Sequence, residues 1–536
     1  MMALTYGTRT GSDRLALAAA RLTWAAFACS TIVATVAFSD ATGGPLVRAD
    51  GDAWVSFGVD RLTVVLLMLV TGVSATVQSY ARRYLRGEAT QARFVGLTVA
   101  LTVGCVALVS AGTLVTVAIA WTVTGVTIVA VADLHPTRTS LASDRRRIRT
   151  AFALGDGSLI LATLILSSLV GTIPLQDADV FLRRIDAAGE WAFVAAALVV
   201  VAASARCALF PFSSWLPATL GAPTPVSALL HAGAVNGGGL LLIRLAPVLD
   251  AWASSWYLAA GIGAVTALWA AAVMSVTVDV KGSLVRSTSA QMGFMIVTVA
   301  AGLPAAAVAH LVAHGLYKAA LFLGSGSAVH DITAYRALPP PRQRSAGWPL
   351  DIVAVTATGV SLFATVALLD RTGIALELDA AKVALLCFAW ATASIALRGW
   401  LGRAHNGTTV AVAAGSVMIS TSLYVVGVAA FTYALAPTLP SSTNGPGALA
   451  FAPLVGGLLV LLVGRAWIPV TSRLHRRAYV VLLAQTHAVR SSASSGRSAR
   501  RPGPKPLMST RPLDLDPVGS PLPPPSVALS GSETSS

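Results

Sequence analysis

Apolar residues occur along this chain in long uninterrupted runs. About fourteen runs are long enough to cross a bilayer as helices, at roughly 14–38, 58–80, 92–112, 113–132, 150–172, 190–211, 225–249, 252–278, 284–303, 304–329, 349–370, 380–399, 407–433 and 447–469. Period-two alternation is absent, and the Ala/Leu/Val runs are far too long for barrel strands. The pattern predicts an all-α polytopic membrane protein of about 14 transmembrane helices. It divides the chain into a short N-terminus at 1–13, a transmembrane body at 14–477 and a tail at 478–536. The tail's RSSASSGRSARRPGPKP and SPLPPPSVALSGSETSS are poor in apolar residues and should be disordered. Two places interrupt the apolar body: Pro211, just after Arg206, and GAPTPV at 221–226 with Pro223 and Pro225. Proline removes a backbone donor and clashes with the preceding turn, so helices should break there; an ordinary inter-helix loop is the alternative for GAPTPV.

One run carries ionisable groups. In AAAVAHLVAHGLYKAALFLGSGS, His310, His314 and Lys318 are spaced four and four, so each lies about one turn beyond the last on nearly one face. A charge at that depth costs at least ~2.5–3.5 kcal/mol on insertion scales, so such residues normally line a polar interior path. A proton path is the reading adopted. The alternatives are a helix end whose Lys reaches the interface, and metal or haem ligation by the two His, for which no third ligand lies nearby in sequence.

The formal net charge of +15 brings nucleic acid to mind, but its placement argues against that. Threading the loops from a cytoplasmic N-terminus puts the clusters Arg82–Arg83–Arg86–Arg93, Arg145–Arg149 and Arg473–Arg477 on one side. Only Arg48, Arg183, Arg184, Arg371 and Lys382 fall on the other. This is the positive-inside bias, so both termini are expected in the cytoplasm and the chain in the plasma membrane of a prokaryote. Cys29, Cys105, Cys207 and Cys387 are scattered singly and fit neither a disulfide framework nor a metal spacing. The first span exceeds a signal-peptide core and reads as an uncleaved anchor.

Five stretches carry a family likeness: FGVDRLTVVLLMLVTGV (57–73), YARRYLRGEATQARF (80–94), FPFSSWLPATLGAPTPVSALLHA (210–232), VDVKGSLVRSTSAQMGF (278–294) and HLVAHGLYKAALFLGSGS (310–327). Through them the chain resembles the proton-conducting membrane subunits shared by respiratory complex I and the multi-subunit sodium/proton antiporters. Within that superfamily Leu216 to Arg244 is similar to the DabB type of inorganic-carbon transporter subunit. The long lateral helix of complex I's largest antiporter-like subunit has no counterpart expected after Trp467.

The resemblance assigns residues and exposes two departures. His231, His310, His314 and Lys318 fall on family proton-path positions, and Asp279 and Lys281 on an acidic-x-basic pattern at the cytoplasmic entrance, where a structural loop pair is the alternative. An ungapped alignment places Thr122 where the respiratory subunits carry a buried glutamate, and Arg206 where they carry a buried lysine. Thr122 cannot titrate and Arg206 will not release its proton in a normal cycle. The first half of the path therefore looks unfit for relay, with Asp156, on a family acidic position, as the expected countercharge to Arg206.

The implied function is ion conduction that drives inorganic-carbon uptake, with no cofactor in this chain and no zinc-water site, Walker loop or flavin fingerprint. The implied partner is a peripheral DabA-type zinc subunit similar to β-carbonic anhydrases. The alternatives are a subunit of a respiratory or hydrogenase-type redox complex, a cation/proton antiporter subunit, and a membrane scaffold without transport.

Overall fold

A computed structural model describes residues 6–40, 43–50, 53–134, 142–171, 175, 185, 189–336, 348–372, 377–403, 406–439, 444–467 and 472–491. They belong to one compact unit, Met1–Ala493; the other, Ser494–Ser536, lies outside the described residues.

Each of the expected apolar runs is helical, the run at 225–249 in separate pieces. In chain order the helices are α1 (Tyr6–Ser39), α2 (Arg61–Tyr84), α3 (Gln91–Val109), α4 (Leu114–Ala132), α5 (Ala142–Val170), α6 (Glu190–Arg206), α7 (Thr224–Ala232), α8 (Gly237–Arg244) and α9 (Ala246–Asp250). There follow α10 (Ala253–Ser275), α11 (Val280–Ala300), α12 (Pro304–Arg336), α13 (Trp348–Arg371), α14 (Ala380–Leu401), α15 (Gly407–Leu435), α16 (Ala452–Trp467) and α17 (Arg473–Ser491). Among the described residues 11 spans are long and apolar enough to cross a membrane, with α7 and α8 counted as one. α6 and α16, at 17 and 16 residues, and the more polar α11 make up the rest of the expected set. The outer faces carry large apolar side chains such as Leu22, Val126, Leu164 and Phe363, all more than 60% exposed, which only a lipid solvent tolerates in such number. The protein is a multi-pass membrane bundle.

Two expectations are corrected. GAPTPV does not interrupt a helix but closes the connection between α6 and α7, the inter-helix loop given as the alternative. Pro223 is the N-cap of α7 and Pro225 lies in its first turn, where a missing N–H costs nothing. The interruption comes later, at Gly233 and the 3-10 turn Ala234–Asn236. There the glycines of AGAVNGGG weaken the helix, while Asn236 Nδ2 donates to the freed Ala232 carbonyl at 2.8 Å. Gly238 and Gly239 then bring α8 close against Ala203, Cys207 and Met295, where a Cβ would collide. The second correction is the boundary at 477/478, which falls inside α17. Good helix formers run through Ala484 and Gln485, and Arg286 Nη2 holds the Gln485 carbonyl at 3.0 Å; the Ser-rich composition starts only at Ser491. The rest of the tail lies outside the described residues.

Interior helix ends are tied down by side chains. Asp60 caps α2, its Oδ1 accepting from the Thr63 amide at 2.7 Å. The same carboxylate takes two bonds from Arg244 at the end of α8, at 2.6 and 3.0 Å, and Arg244 Nη2 also donates to Thr63 Oγ1 at 2.7 Å. The far end of the interrupted span is thereby fastened to the start of α2.

Candidate functional site

Antiparallel α11 and α12 build the core of the site with the end of α7. The stripe predicted on α12 meets a matching stripe on α11. Lys318 Nζ donates to the Leu284 carbonyl at 3.1 Å and to Ser287 Oγ at 2.5 Å. One level on, His314 Nδ1 lies 3.0 Å from Gln291 Oε1, and beyond it the His310 ring sits 5.9 Å from that of Phe294. Positions 284, 287, 291 and 294 advance one turn at a time, as do 318, 314 and 310 in reverse, which is what two antiparallel helices require to stay in contact. Thr288, beside Ser287, faces His231 Nδ1 at 3.2 Å.

His231 is fully buried in the last turn of α7, its ring stacked on Phe322 with centroids 4.3 Å apart. Its backbone carbonyl lies 3.2 Å from His314 Nε2. Gly315 allows this approach, because a Cβ there would stand 2.9 Å from the Ala232 carbonyl oxygen. The His310 and His314 rings lie 5.9 Å apart and nearly parallel, and His310 opens into a cleft lined by Gln291, Phe294, Phe388 and Tyr424. Lys318 is fully buried, and among the described residues no carboxylate pairs with it. Its ammonium group is solvated by one carbonyl and one hydroxyl. The structure thus brings His231, His310, His314 and Lys318 together around the helix break. Among the described residues no group of three or more His, Cys, Asp or Glu side chains is placed to hold a metal ion.

The first half of the bundle is built differently. Arg206 closes α6, and its Nη2 donates to Asp156 on α5 at 3.0 Å and to the Trp121 carbonyl at 2.9 Å. Its Nη1 donates to Thr124 Oγ1 at 2.8 Å, and the guanidinium lies over the Trp121 ring at 4.1 Å and that of Phe152 at 5.1 Å. Gly125 makes the space, because a Cβ there would run into Asp156 Oδ2 and stand 3.1 Å from Arg206 Nη2. Thr122 takes no part and bonds the Ala118 carbonyl of its own helix; the polar residue that α4 turns toward Arg206 is Thr124. Hydrogen-bonded through both terminal nitrogens and lying over two aromatic rings, this arginine is a fixed cation.

Asp279 and Lys281 do not pair with each other. Asp279 caps α11 through the Gly282 amide at 2.6 Å, and Lys281 Nζ reaches back to the carbonyls of Leu220 at 3.1 Å and Ala222 at 2.6 Å. Both secure the approach to α7. Sequence reasoning missed the α11 face of Ser287, Thr288 and Gln291, although all three lie in the family-like STSAQMGF. It also missed the Asp60–Arg244 tie.

A lysine and three histidines are thus gathered at a broken helix inside a multi-pass membrane bundle. Residues 111–365 match the family described as NADH:quinone oxidoreductase/Mrp antiporter, TM, and residues 49–95 match the N-terminus of complex I chain 5. The "Probable inorganic carbon transporter subunit DabB2" of Halothiobacillus neapolitanus is 32% identical over 82% of this chain and 80% of its own length. The DabB1 protein of that organism is 36% identical over 61% of this chain, a match that spans 60% of the relative. A chain of the Mrp complex from Dietzia sp. DQ12-45-1b shares the fold, with a TM-score of 0.54 and 22% identity over 92% of this chain and 60% of that one. The chain belongs to the complex I/Mrp antiporter-like family of membrane subunits.

Proposed function

We propose that this chain is the proton-conducting membrane subunit of an energy-coupled inorganic-carbon uptake pump. The observation that carries the reading is the asymmetry between the halves: a fixed Arg206–Asp156 pair in one, and Lys318, His314, His310 and His231 around the break in the other. Arg206 keeps its charge throughout a cycle, whereas the second set consists of lysine and histidines, which can release and take up protons. The hydroxyls of Ser287 and Thr288 stand between Lys318 and His231, and His314 with His310 leads to the cleft by Phe388. Likeness to the two inorganic-carbon transporter subunits supports carbon as the cargo. A DabA-type zinc partner would carry out the hydration chemistry. Asp279 and Lys281 hold the entrance by positioning α7, and the arginine-rich face and both termini are cytoplasmic.

The test is co-expression with a DabA-type zinc protein, in a host lacking its own uptake systems. Co-purification of the two chains and labelled inorganic-carbon uptake that collapses with a protonophore are the expected results. Assembly instead with quinone-oxidoreductase or antiporter subunits, and no carbon uptake, would overturn the reading.

A further inference from the structure

Where the first turns of α1 approach the end of α2, four guanidinium side chains line one recess. Arg14, Arg82, Arg83 and Arg86 surround a space of about 450 Å3, with Asp13 and Leu17 completing the lining. Asp13 is the one carboxylate there, and it is already engaged: Arg86 Nε lies 3.4 Å from one oxygen and Gln91 Nε2 3.3 Å from the other. Arg14, Arg82 and Arg83 are left as an excess of positive charge converging on a small volume. Like charges lining one recess repel, and an anion among them offsets that repulsion.

The surroundings identify the anion. Arg82 and Arg83 lie in the last turn of a membrane-crossing helix, so the recess is at the depth of lipid headgroups. Leu17 leads from it onto the outer face of α1, where Leu15 and Leu22 are 47% and 69% exposed. On the α2 side Tyr80 and Tyr84 stack with centroids 5.6 Å apart, in the position of an interfacial aromatic anchor. A phosphate matches guanidinium geometry, and the adjoining apolar face matches an acyl chain.

We propose that this recess is a binding site for an anionic phospholipid, its phosphate held by Arg14, Arg82 and Arg83 and an acyl chain laid along α1. Arg86 stays with Asp13 and closes the recess on the water side. A free phosphate would find the same cations but no use for the apolar face.

The test uses the full-length protein, delipidated in mild detergent and loaded with phosphatidylglycerol or phosphatidylcholine, with retained lipid counted by native mass spectrometry. Wild type should keep phosphatidylglycerol selectively. The variant Arg14→Gln/Arg82→Gln/Arg83→Gln should lose that retention by roughly tenfold or more. Arg473→Gln/Arg476→Gln/Arg477→Gln, an equal charge change on α17, should not. Equal loss in both variants, or displacement of the lipid by millimolar inorganic phosphate, would overturn the proposal. Should the recess variant fail to assemble, wild type carries the test alone: phosphatidylglycerol must raise its thermal midpoint above that in phosphatidylcholine, and equal midpoints refute the site.

Discussion

His314 Nε2 faces the His231 backbone carbonyl at 3.2 Å while its Nδ1 faces Gln291 Oε1 at 3.0 Å. Both neighbours are acceptors, so this arrangement is completed by a ring protonated on both nitrogens. Turning the Gln291 amide over presents its NH2 to Nδ1 and suits the neutral ring, with Nε2–H still on the carbonyl. One side-chain rotation thus serves both charge states of a residue next to the helix break. Replacing Gln291 with Leu keeps the volume and removes both options, leaving a buried ring nitrogen unpaired at a cost of about 1–3 kcal/mol. Proton-coupled uptake should fall by about tenfold or more, with protein level on immunoblot close to wild type. Uptake equal to wild type would take Gln291 out of the path.

Lys318 tests relay against fixed charge. Its partners are a carbonyl and a hydroxyl. Lys318→Arg keeps a cation that does not deprotonate, and Lys318→Ala leaves none. Both should abolish labelled-carbon uptake while insertion and partner binding persist. An arginine variant that transports normally would reduce Lys318 to a structural cation.

For Arg206 the expectation is the reverse. Truncating one partner of a buried ion pair costs about 3–5 kcal/mol, because the other charge is left without compensation. Arg206→Ala and Asp156→Ala should each lower protein level. The double variant should recover part of it, with a coupling of about 0.5–3 kcal/mol in a thermal-shift cycle. Gly125→Ala should mimic the single losses without touching a charge, since its methyl would displace Asp156. Strict additivity, or a silent Gly125→Ala, would refute the pairing.

The helices and the stripe were legible because hydropathy and the 3.6-residue period act locally. His310, His314 and Lys318 could be placed on one face by counting; Asp156 was singled out by the family resemblance, and the rule that a membrane charge needs a partner then set it against Arg206. Two features were out of reach for a shared reason: they depend on which helices pack together. The Ser287–Gln291 face has its role only once α11 lies antiparallel to α12. Arg244 and Asp60 stand 184 residues apart. The break at Gly233 was hidden by the louder signal of Pro223 and Pro225, which at a helix start are harmless.

Topology follows from loop charge and can be measured directly. Cys29 and Cys387 are exposed and must first be replaced by Ser. In that background a cysteine at Ser140 should react with a membrane-impermeant thiol reagent only from inside the cell, and one at Thr438 only from outside. Labelling of both from one side would break the fourteen-span topology.

The Asp60–Arg244 tie does two jobs, and substitutions can separate them. Asp60 Oδ1 caps α2, worth about 1 kcal/mol, while the two bonds from Arg244 fasten the far end of the interrupted span. Asp60→Asn retains a capping oxygen and loses the charge, so it should be milder than Asp60→Ala, which loses both and leaves the half-buried Arg244 without its anion. Thermal midpoints in detergent should therefore rank wild type, then Asn, then Ala. The double variant Asp60→Asn/Arg244→Gln removes both charges and keeps polar side chains, so its midpoint should exceed that of Asp60→Ala. Uptake should not recover alongside stability. Without the bidentate pair the end of α8 is free to shift, and with it the turn that sets the His231 carbonyl against His314. A double variant as stable as wild type but poor in uptake would show that the tie positions the break. Full uptake would confine it to holding the bundle together.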